Sequence, residues 1–239
     1  MIWFPTSQEL VDKMLTMAEV KKNDLVYDLG AGDGIIAIAA AKQYGARAIG
    51  IEYNPDMADF ARKNVKQAGV ADRVSIITGN IFEEDFSKAT VVTLYLLPDL
   101  NLKLRPTILK MKPGTRVVSH AFDMGDWEPD QKVYVGTATG FLWTVPANIQ
   151  GNWRLFDPES KTTGSLSLQQ SYQKVAGTIN FGGVNQPMLG AQLVGDKLAF
   201  NYITAKKNVA SVKLEINGNS MNGYQSQSYA QTPLEALRQ

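Results

Sequence analysis

Asp28-Leu29-Gly30-Ala31-Gly32-Asp33-Gly34 follows the apolar run Leu25-Val26-Tyr27 and precedes the very apolar stretch from Ile35 to Tyr44. Glycines at 30, 32 and 34 permit a tight turn and let a ligand lie against bare backbone. A dinucleotide loop, Gly-x-Gly-x-x-Gly, shares this placement between strand and helix. Here, however, Ile35 stands where that pattern wants its third glycine. Two carboxylates, Asp28 and Asp33, also lie at the loop. A pyrophosphate wants backbone N–H groups and a helix N-terminus around it, and two anions beside it would repel it. A ligand with a cationic head suits the loop better. Taken alone, the loop also reads as a plain turn.

Outward from the loop, strands and helices alternate. Thr6-x-x-Glu9 predicts a capping box, with Thr6 capping a helix that runs to about Val20. Leu25–Leu29 predicts the first strand, 35–44 a helix stopped by Gly45, and 46–51 the second strand. Asn54-Pro55 predicts a cap and first helical residue, with the helix stopped by Gly69. Strands follow at 74–78, 90–96 and 115–119, with a helix interrupted by Pro106 between the last two. Residues 131–135 and 140–145 read as a strand pair. Alternation with short loops predicts a parallel sheet covered by helices on both faces. Such sheets bind ligands beyond the carboxyl ends of their strands, where strand order reverses.

The chemistry changes near Pro146. Residues 1–146 carry 16 Lys and Arg against 18 Asp and Glu, with 13 Ser, Asn and Gln; residues 147–239 carry 8, 5 and 27. The shift predicts two domains, 1–146 and 147–239. In the second, apolar residues alternate at Leu166/Leu168, Val175–Phe181, Leu198–Tyr202 and Val212–Ile216, and Asn217-Gly218 is a strong hairpin signal. This predicts a small antiparallel all-β domain of five to seven strands, curled into a half-barrel or sandwich, with the last ten residues as a tail. Gly151-Asn152-Trp153 resembles the Gly-x-Trp that opens lipocalin-like barrels.

Composition narrows the function. A net charge of +1 with no polybasic run points to neither a nucleic-acid partner nor an anionic membrane. The absence of cysteine excludes disulfides and thiol catalysis, and a single histidine, His120, excludes a multi-histidine metal site. No apolar stretch approaches the roughly 20 residues of a membrane helix. Met1-Ile2-Trp3-Phe4-Pro5 shows no basic region followed by an apolar run, so no signal peptide is expected and a cytoplasmic location is the expectation.

Acid-x-Gly-x-Gly-x-Gly at the end of a first strand is the pattern of class I methyltransferases that use S-adenosyl-L-methionine (SAM), and residues 28–34 resemble it closely. SAM has an ammonium group, a sulfonium and no phosphate, which answers the cationic preference of the loop. The resemblance implies a Rossmann-like seven-stranded sheet, SAM as cofactor, S-adenosyl-L-homocysteine as product and no metal. It implies a cofactor site built from Thr6, Asp28, Gly30, Ala31, Gly32, Gly34, Glu52, Tyr53, Asn80, Ile81 and Tyr95. Glu52 would take the ribose hydroxyls and Tyr53 would pack on adenine. Asn80 departs from the acidic residue common there, although its amide oxygen can accept the same bond.

Phe4-Pro5-Thr6, Tyr27 to Gly34, Thr93-Leu94-Tyr95-Leu96-Leu97-Pro98 and Lys112 to His120 resemble a narrower family, the small protein-lysine methyltransferases. These include archaeal broad-specificity enzymes and the mitochondrial ATP synthase c-subunit lysine methyltransferases. The resemblance covers about residues 3 to 130 and implies a protein lysine as acceptor. A small-molecule N- or O-methyltransferase and a non-catalytic SAM-binding protein are the alternatives. Lysine must lose its proton before attack, and an apolar slot together with the sulfonium lowers its pKa. Tyr95, Phe122 and Trp127 are candidates for the slot, and Leu97, Phe122 and Trp127 for substrate contact. Tyr95, Asp99 and His120 are the catalytic candidates, with Asp99 or His120 taking the proton. Each has a plainer reading: His120 as a structural hydrogen-bonding residue, Asp99 as a helix cap, Trp127 as closure of the sheet edge. Asp99, Asp123 and Asp126 read as a solvated loop rather than a magnesium site. Trp3 and Phe4 read as a flap over the cofactor or as packing for the first helix. The β-domain reads as a substrate-recognition or oligomerisation module.

Overall fold

The apolar runs found in the sequence become the strands of a twisted sheet. A computed structural model describes residues 5–228 and 230–239, so Trp3 and Phe4 lie outside the described residues. The chain divides into two units, Met1–Val145 and Pro146–Gln239.

The first unit runs α1 (Gln8–Met17), β1 (Leu25–Leu29), α2 (Ile35–Tyr44), β2 (Arg47–Glu52), α3 (Pro55–Gln67), β3 (Val74–Thr78), β4 (Val91–Leu94), α4 (Pro98–Ile108), β5 (Arg116–His120), β6 (Gln131–Val135) and β7 (Ala138–Thr144). The sheet order is β3-β2-β1-β4-β5-β7-β6, with β7 antiparallel to both of its neighbours. Strand order reverses between β1 and β4, and the glycine loop leaves the sheet at that point. All four residues of β4 are buried, which explains an apolar strand broken only by the Thr93 hydroxyl. Leu10 and Met14 of α1 and Ala37 and Ala40 of α2 pack with Val26, Val91, Val118 and Leu142 of the sheet.

Two local expectations are corrected. Ser7, not Thr6, caps α1 and accepts from Leu10 N–H. Two hydroxyls stand side by side in sequence, and Thr6 is drawn inward to another partner. α4 is not interrupted at Pro106 but continues through it to Ile108. Pro106 gives up the N–H that would bond the Leu102 carbonyl, and the helix ends two residues later.

At the amino ends of the central strands, Asp24 and Arg116 form a largely buried ion pair. Arg116 also donates to the carbonyls of Ala18 and Glu19, and Asp24 accepts from Thr90 Oγ1 and Lys21 N–H. Burial alone would raise the pKa of Asp24. Arg116, the Thr90 hydroxyl and the Lys21 N–H outweigh it and hold the carboxyl below its ordinary 3.8.

The second unit comprises β8 (Gly151–Phe156), β9 (Thr163–Ser171), β10 (Lys174–Phe181), β11 (Asn185–Pro187), β12 (Leu189–Val194), β13 (Lys197–Ile203), β14 (Val209–Asn217), β15 (Ser220–Gln227) and β16 (Ala230–Arg238). Among the described residues these nine strands form one antiparallel sheet, ordered β11-β10-β9-β8-β16-β15-β14-β13-β12. β10 touches β12 and β11 touches β13, so the two ends of the sheet meet in a nearly closed barrel. The expectation of five to seven strands in an open half-barrel or sandwich is therefore corrected. So is the tail: residues 230–238 are a strand paired on both sides. Pro233 hides the alternation of Leu234 and Ala236, which point inward. Trp153 is fully buried, donates from Nε1 to Ile149 O, and lies under the Arg238 guanidinium at 4.3 Å. Arg238 also donates to the carbonyls of Gln150 and Asn148, both at 2.6 Å. The first and last strands of the barrel are thus locked together.

Arg116→Ala removes one partner of a pair whose aspartate stays buried. The expected loss is about 3 kcal/mol in urea unfolding, the low end for a broken buried pair because Arg116 is partly exposed. The stabilisation from Asp24 is present above about pH 4 in the parent and is lost as pH falls through its depressed folded value. The variant should show a weaker acid dependence.

Candidate active site

The glycine loop is shaped by its backbone. Gly30, Gly32 and Gly34 have φ of +82°, +55° and +83°, in the left-handed region where a Cβ is penalised. A Cβ on Gly30 would also meet Leu96 at 2.8 Å. The loop has already committed most of its donors. Gly30 and Ala31 N–H both donate to Ile51 O, Gly32 N–H to Glu52 Oε2, Gly34 N–H to Ala31 O and Ile35 N–H to Asp33 Oδ1. A phosphate would find these N–H groups taken, which is the physical reason this is not a dinucleotide loop.

Carboxylates gather around it instead. Asp28 is 2% exposed and accepts a 2.7 Å hydrogen bond from Thr93 Oγ1. Burial pushes its pKa up to about 7; the Thr93 hydroxyl opposes the shift, and Asp33 and Glu52 add to it. Glu52 Oε1 accepts from Asn54 N–H and Oε2 from Gly32 N–H, both at 2.9 Å. These bonds fix the carboxylate at the end of β2 and leave lone pairs for two hydroxyls. Tyr53 beside it is 77% exposed, with its ring available to a base. At the end of β3, Asn80 Oδ1 accepts from Phe82 N–H and Nδ2 donates to Glu83. Its amide thus shapes its own turn and keeps one acceptor lone pair. The half-buried Ile81 is part of that turn, and Glu84 folds over Gly79.

The loops after β4 and β5 meet. The Tyr95 ring stacks on His120, with centroids 3.8 Å apart and planes at 30°. Thr6 Oγ1 and His120 Nδ1 share a 3.1 Å hydrogen bond. Thr6, placed by sequence in the cofactor site, is therefore the partner of the imidazole. Sequence reasoning missed this contact because 114 positions separate the two residues. Burial lowers the pKa of His120, so the ring is neutral at pH 7. Leu97 is 52% exposed, Phe122 is half-buried, and Asp99 is exposed in the first turn of α4.

Trp127 is corrected. It is fully buried, its carbonyl accepts from Trp143 Nε1 at 2.7 Å, and its ring lies 6.0 Å from that of Trp143. A ring with no exposed face cannot receive a substrate cation. The loop is also not simply solvated. Asp126 pairs with Arg105, and Asp123 Oδ1 accepts from Gly125 N–H. Among the described residues no group of three His, Asp or Glu could hold a metal ion. A concavity lined by Gln8, Asp33, Ile35, Ile38, Lys42 and Asn64 lies among α1, α2 and α3 and reaches the glycine loop at Asp33.

A family model described as the ANTKMT methyltransferase domain matches residues 28–131. A protein-lysine N-methyltransferase of Saccharolobus islandicus is 46% identical over 135 residues, which is 56% of this chain and 84% of that protein. The chain belongs to this methyltransferase family. The methyltransferase is also 28% identical over 168 residues to the ATP synthase c-subunit lysine N-methyltransferase of Mus musculus, 70% of this chain and 66% of that protein. It matches a crystal structure described as an RNA methyltransferase from Salinibacter ruber in complex with S-adenosyl-L-homocysteine. That match has a TM-score of 0.60 and 54% identity, and covers 61% of this chain and 96% of that one.

The methyltransferase takes its methyl group from SAM, and the site fits that donor. The loop leaves room that side chains would fill, and Asp28 and Asp33, with Glu52 at the end of β2, set carboxyls around a ligand whose ammonium and sulfonium give it a net positive charge. Asp28, Gly30, Gly32 and Gly34 would hold the amino-acid end, Glu52 the ribose, and Tyr53 and Asn80 the adenine. When bound, SAM supplies an electrophilic methyl group on a sulfonium. The chain's own task is to orient the acceptor, exclude water and remove a proton.

The buried Asp28 makes SAM binding pH-dependent. Between about pH 4 and 7 the native, ligand-free protein keeps a proton that the unfolded chain has lost, so its stability falls as pH rises through that window. A bound cation favours the ionised form. SAM affinity in calorimetry should rise with pH by up to about tenfold per unit, then level off above pH 7. Asp28→Asn should raise the Tm of the ligand-free protein at pH 8 while weakening SAM at least about tenfold. A variant that binds SAM normally would overturn the assignment of the loop.

Proposed function

We propose that the acceptor is the ε-amine of a lysine in a protein. The observation that carries this reading is the stack of Tyr95 on a neutral, buried His120 at the ends of β4 and β5. Tyr95 and Phe122 offer a wall to an aliphatic stem, while the imidazole or the exposed Asp99 accepts the ammonium proton directly or through water. Exposed Leu97 and Tyr53 leave the rim open, which suits a side chain presented by a macromolecule rather than an enclosed small molecule. The lysine methyltransferases named above support the same acceptor. RNA is the second reading, favoured by the description of the Salinibacter protein. The acidic excess of residues 1–146 counts against it. The second unit has no histidine and few carboxylates, so the chemistry stays with the first. The second unit is assigned to substrate recognition or oligomerisation.

Methyl-labelled SAM and a gently prepared cell extract test the acceptor. Label is expected on protein and should be lost when lysines are acetylated beforehand. Label released by ribonuclease, or found only in a small-molecule filtrate, would refute the lysine reading. His120→Asn should lower turnover on the labelled protein by about 10²-fold, the scale of a lost general base, with SAM affinity unchanged.

A further inference from the structure

The loop after β5 concentrates two unfavourable features beside His120. Ala121 has a φ of +67°, a region that non-glycine residues rarely adopt. Phe122 N–H donates to His120 O at 2.8 Å, so the chain makes a three-residue turn around Ala121, the rare and strained kind of γ-turn. The Ala121 side chain is exposed, so packing does not repay the strain.

The second feature is Asn101, fully buried in α4. Its Nδ2 approaches Ser119 Oγ at 3.3 Å, Phe122 O at 3.2 Å and Asp123 O at 3.3 Å, while Oδ1 has no partner. Turning the amide round does not help. Its oxygen would then face two carbonyl oxygens, and the Ser119 hydroxyl already donates to Phe122 O at 2.6 Å. A buried acceptor left unpaired and a non-glycine residue in the left-handed region are both costly, and such costs persist where the surrounding structure imposes them for function.

The sheet does not require this arrangement. β5 is already paired through His120 with Gly140, and Ala121 N–H continues to Thr139 O. What the turn decides is direction. It ends the strand at the imidazole that stacks on Tyr95.

We propose that Asn101 is a positioning residue that clamps the Ala121 turn in its left-handed conformation and thereby holds His120 against Tyr95 at the acceptor wall. The proposal rests on the reading that the loops after β4 and β5 form that wall. Without the clamp, Ala121 relaxes toward negative φ, the Phe122 carbonyl swings away, and the imidazole leaves the stack. Glycine at the same position adopts positive φ without help, so it should make the clamp dispensable.

His120 is the only histidine in the chain, so its ring protons report alone in an NMR spectrum. Stacking on Tyr95 should shift them upfield in the parent protein. Asn101→Ala is expected to move them toward unstacked positions. It should also lower methyl transfer to poly-L-lysine at least tenfold, with S-adenosyl-L-homocysteine affinity unchanged within twofold. Adding Ala121→Gly to that variant should restore at least half of the shift and of the turnover. Ala121→Gly alone should raise Tm and leave both readouts as in the parent. If Asn101→Ala does not fold, Ser119→Ala loosens the same clamp and takes its place. Unmoved His120 signals in the clamp variant, or a loss that Ala121→Gly does not rescue, would overturn the proposal. Failure of the parent protein to methylate poly-L-lysine would count against the lysine reading alone, because the ring-proton shifts still decide the role of Asn101.

Discussion

A carboxyl group buried at the end of the first strand is the constraint around which the first unit is arranged. Asp28 lies where strand order reverses, and the parallel register of β1 with β4 sets Thr93 opposite it to supply a hydroxyl. That single hydrogen bond does not compensate an anion out of water, so the ligand-free protein holds the group near the point of protonation. The glycines complete the arrangement by spending their N–H groups on Ile51 and Glu52, which leaves the site rich in acceptors and poor in donors. A ligand that brings positive charge resolves the imbalance, and one that brings phosphate worsens it. The choice of donor molecule is thus written into the electrostatics of the loop itself.

The opposite end of the sheet solves the same problem differently. Asp24 is also buried, but it is met by Arg116, Thr90 and a backbone N–H. The two aspartates stand four residues apart, at the start and end of one short segment, and their pKa values move in opposite directions. One is satisfied within the protein and holds the strands together. The other is left for a ligand.

What the sequence disclosed follows from the range of the interactions involved. The glycine loop, the Asn54-Pro55 helix start and the alternation of strands are local patterns, and they placed Asp28, Glu52 and the switch point. Contacts between distant segments were out of reach. Thr6 and Ser7 are equivalent as capping residues on paper, and only the arrival of His120 from β5 separates them. Trp127 looked like a loop aromatic until Trp143 from β7 covered it. β16 was concealed by Pro233, whose lack of an N–H argues against a strand although it is accommodated here opposite Tyr224. Asn101 carried no signal at all, since one polar residue among the others of a mixed helix shows neither burial nor partners in sequence.

The closure of the second unit bears on how the chain is made. Trp153 pairs with Arg238 across β8 and β16, so the first strand of the barrel to be synthesised waits for the last. The first unit completes its sheet with Thr144, before any of the barrel has emerged. On the ribosome the donor-binding unit is therefore free to fold early, through short connections. The barrel must hold eight strands' worth of apolar residues unsealed until its final segment arrives. In a cell short of chaperones, the barrel would be the part of the protein that limits its yield.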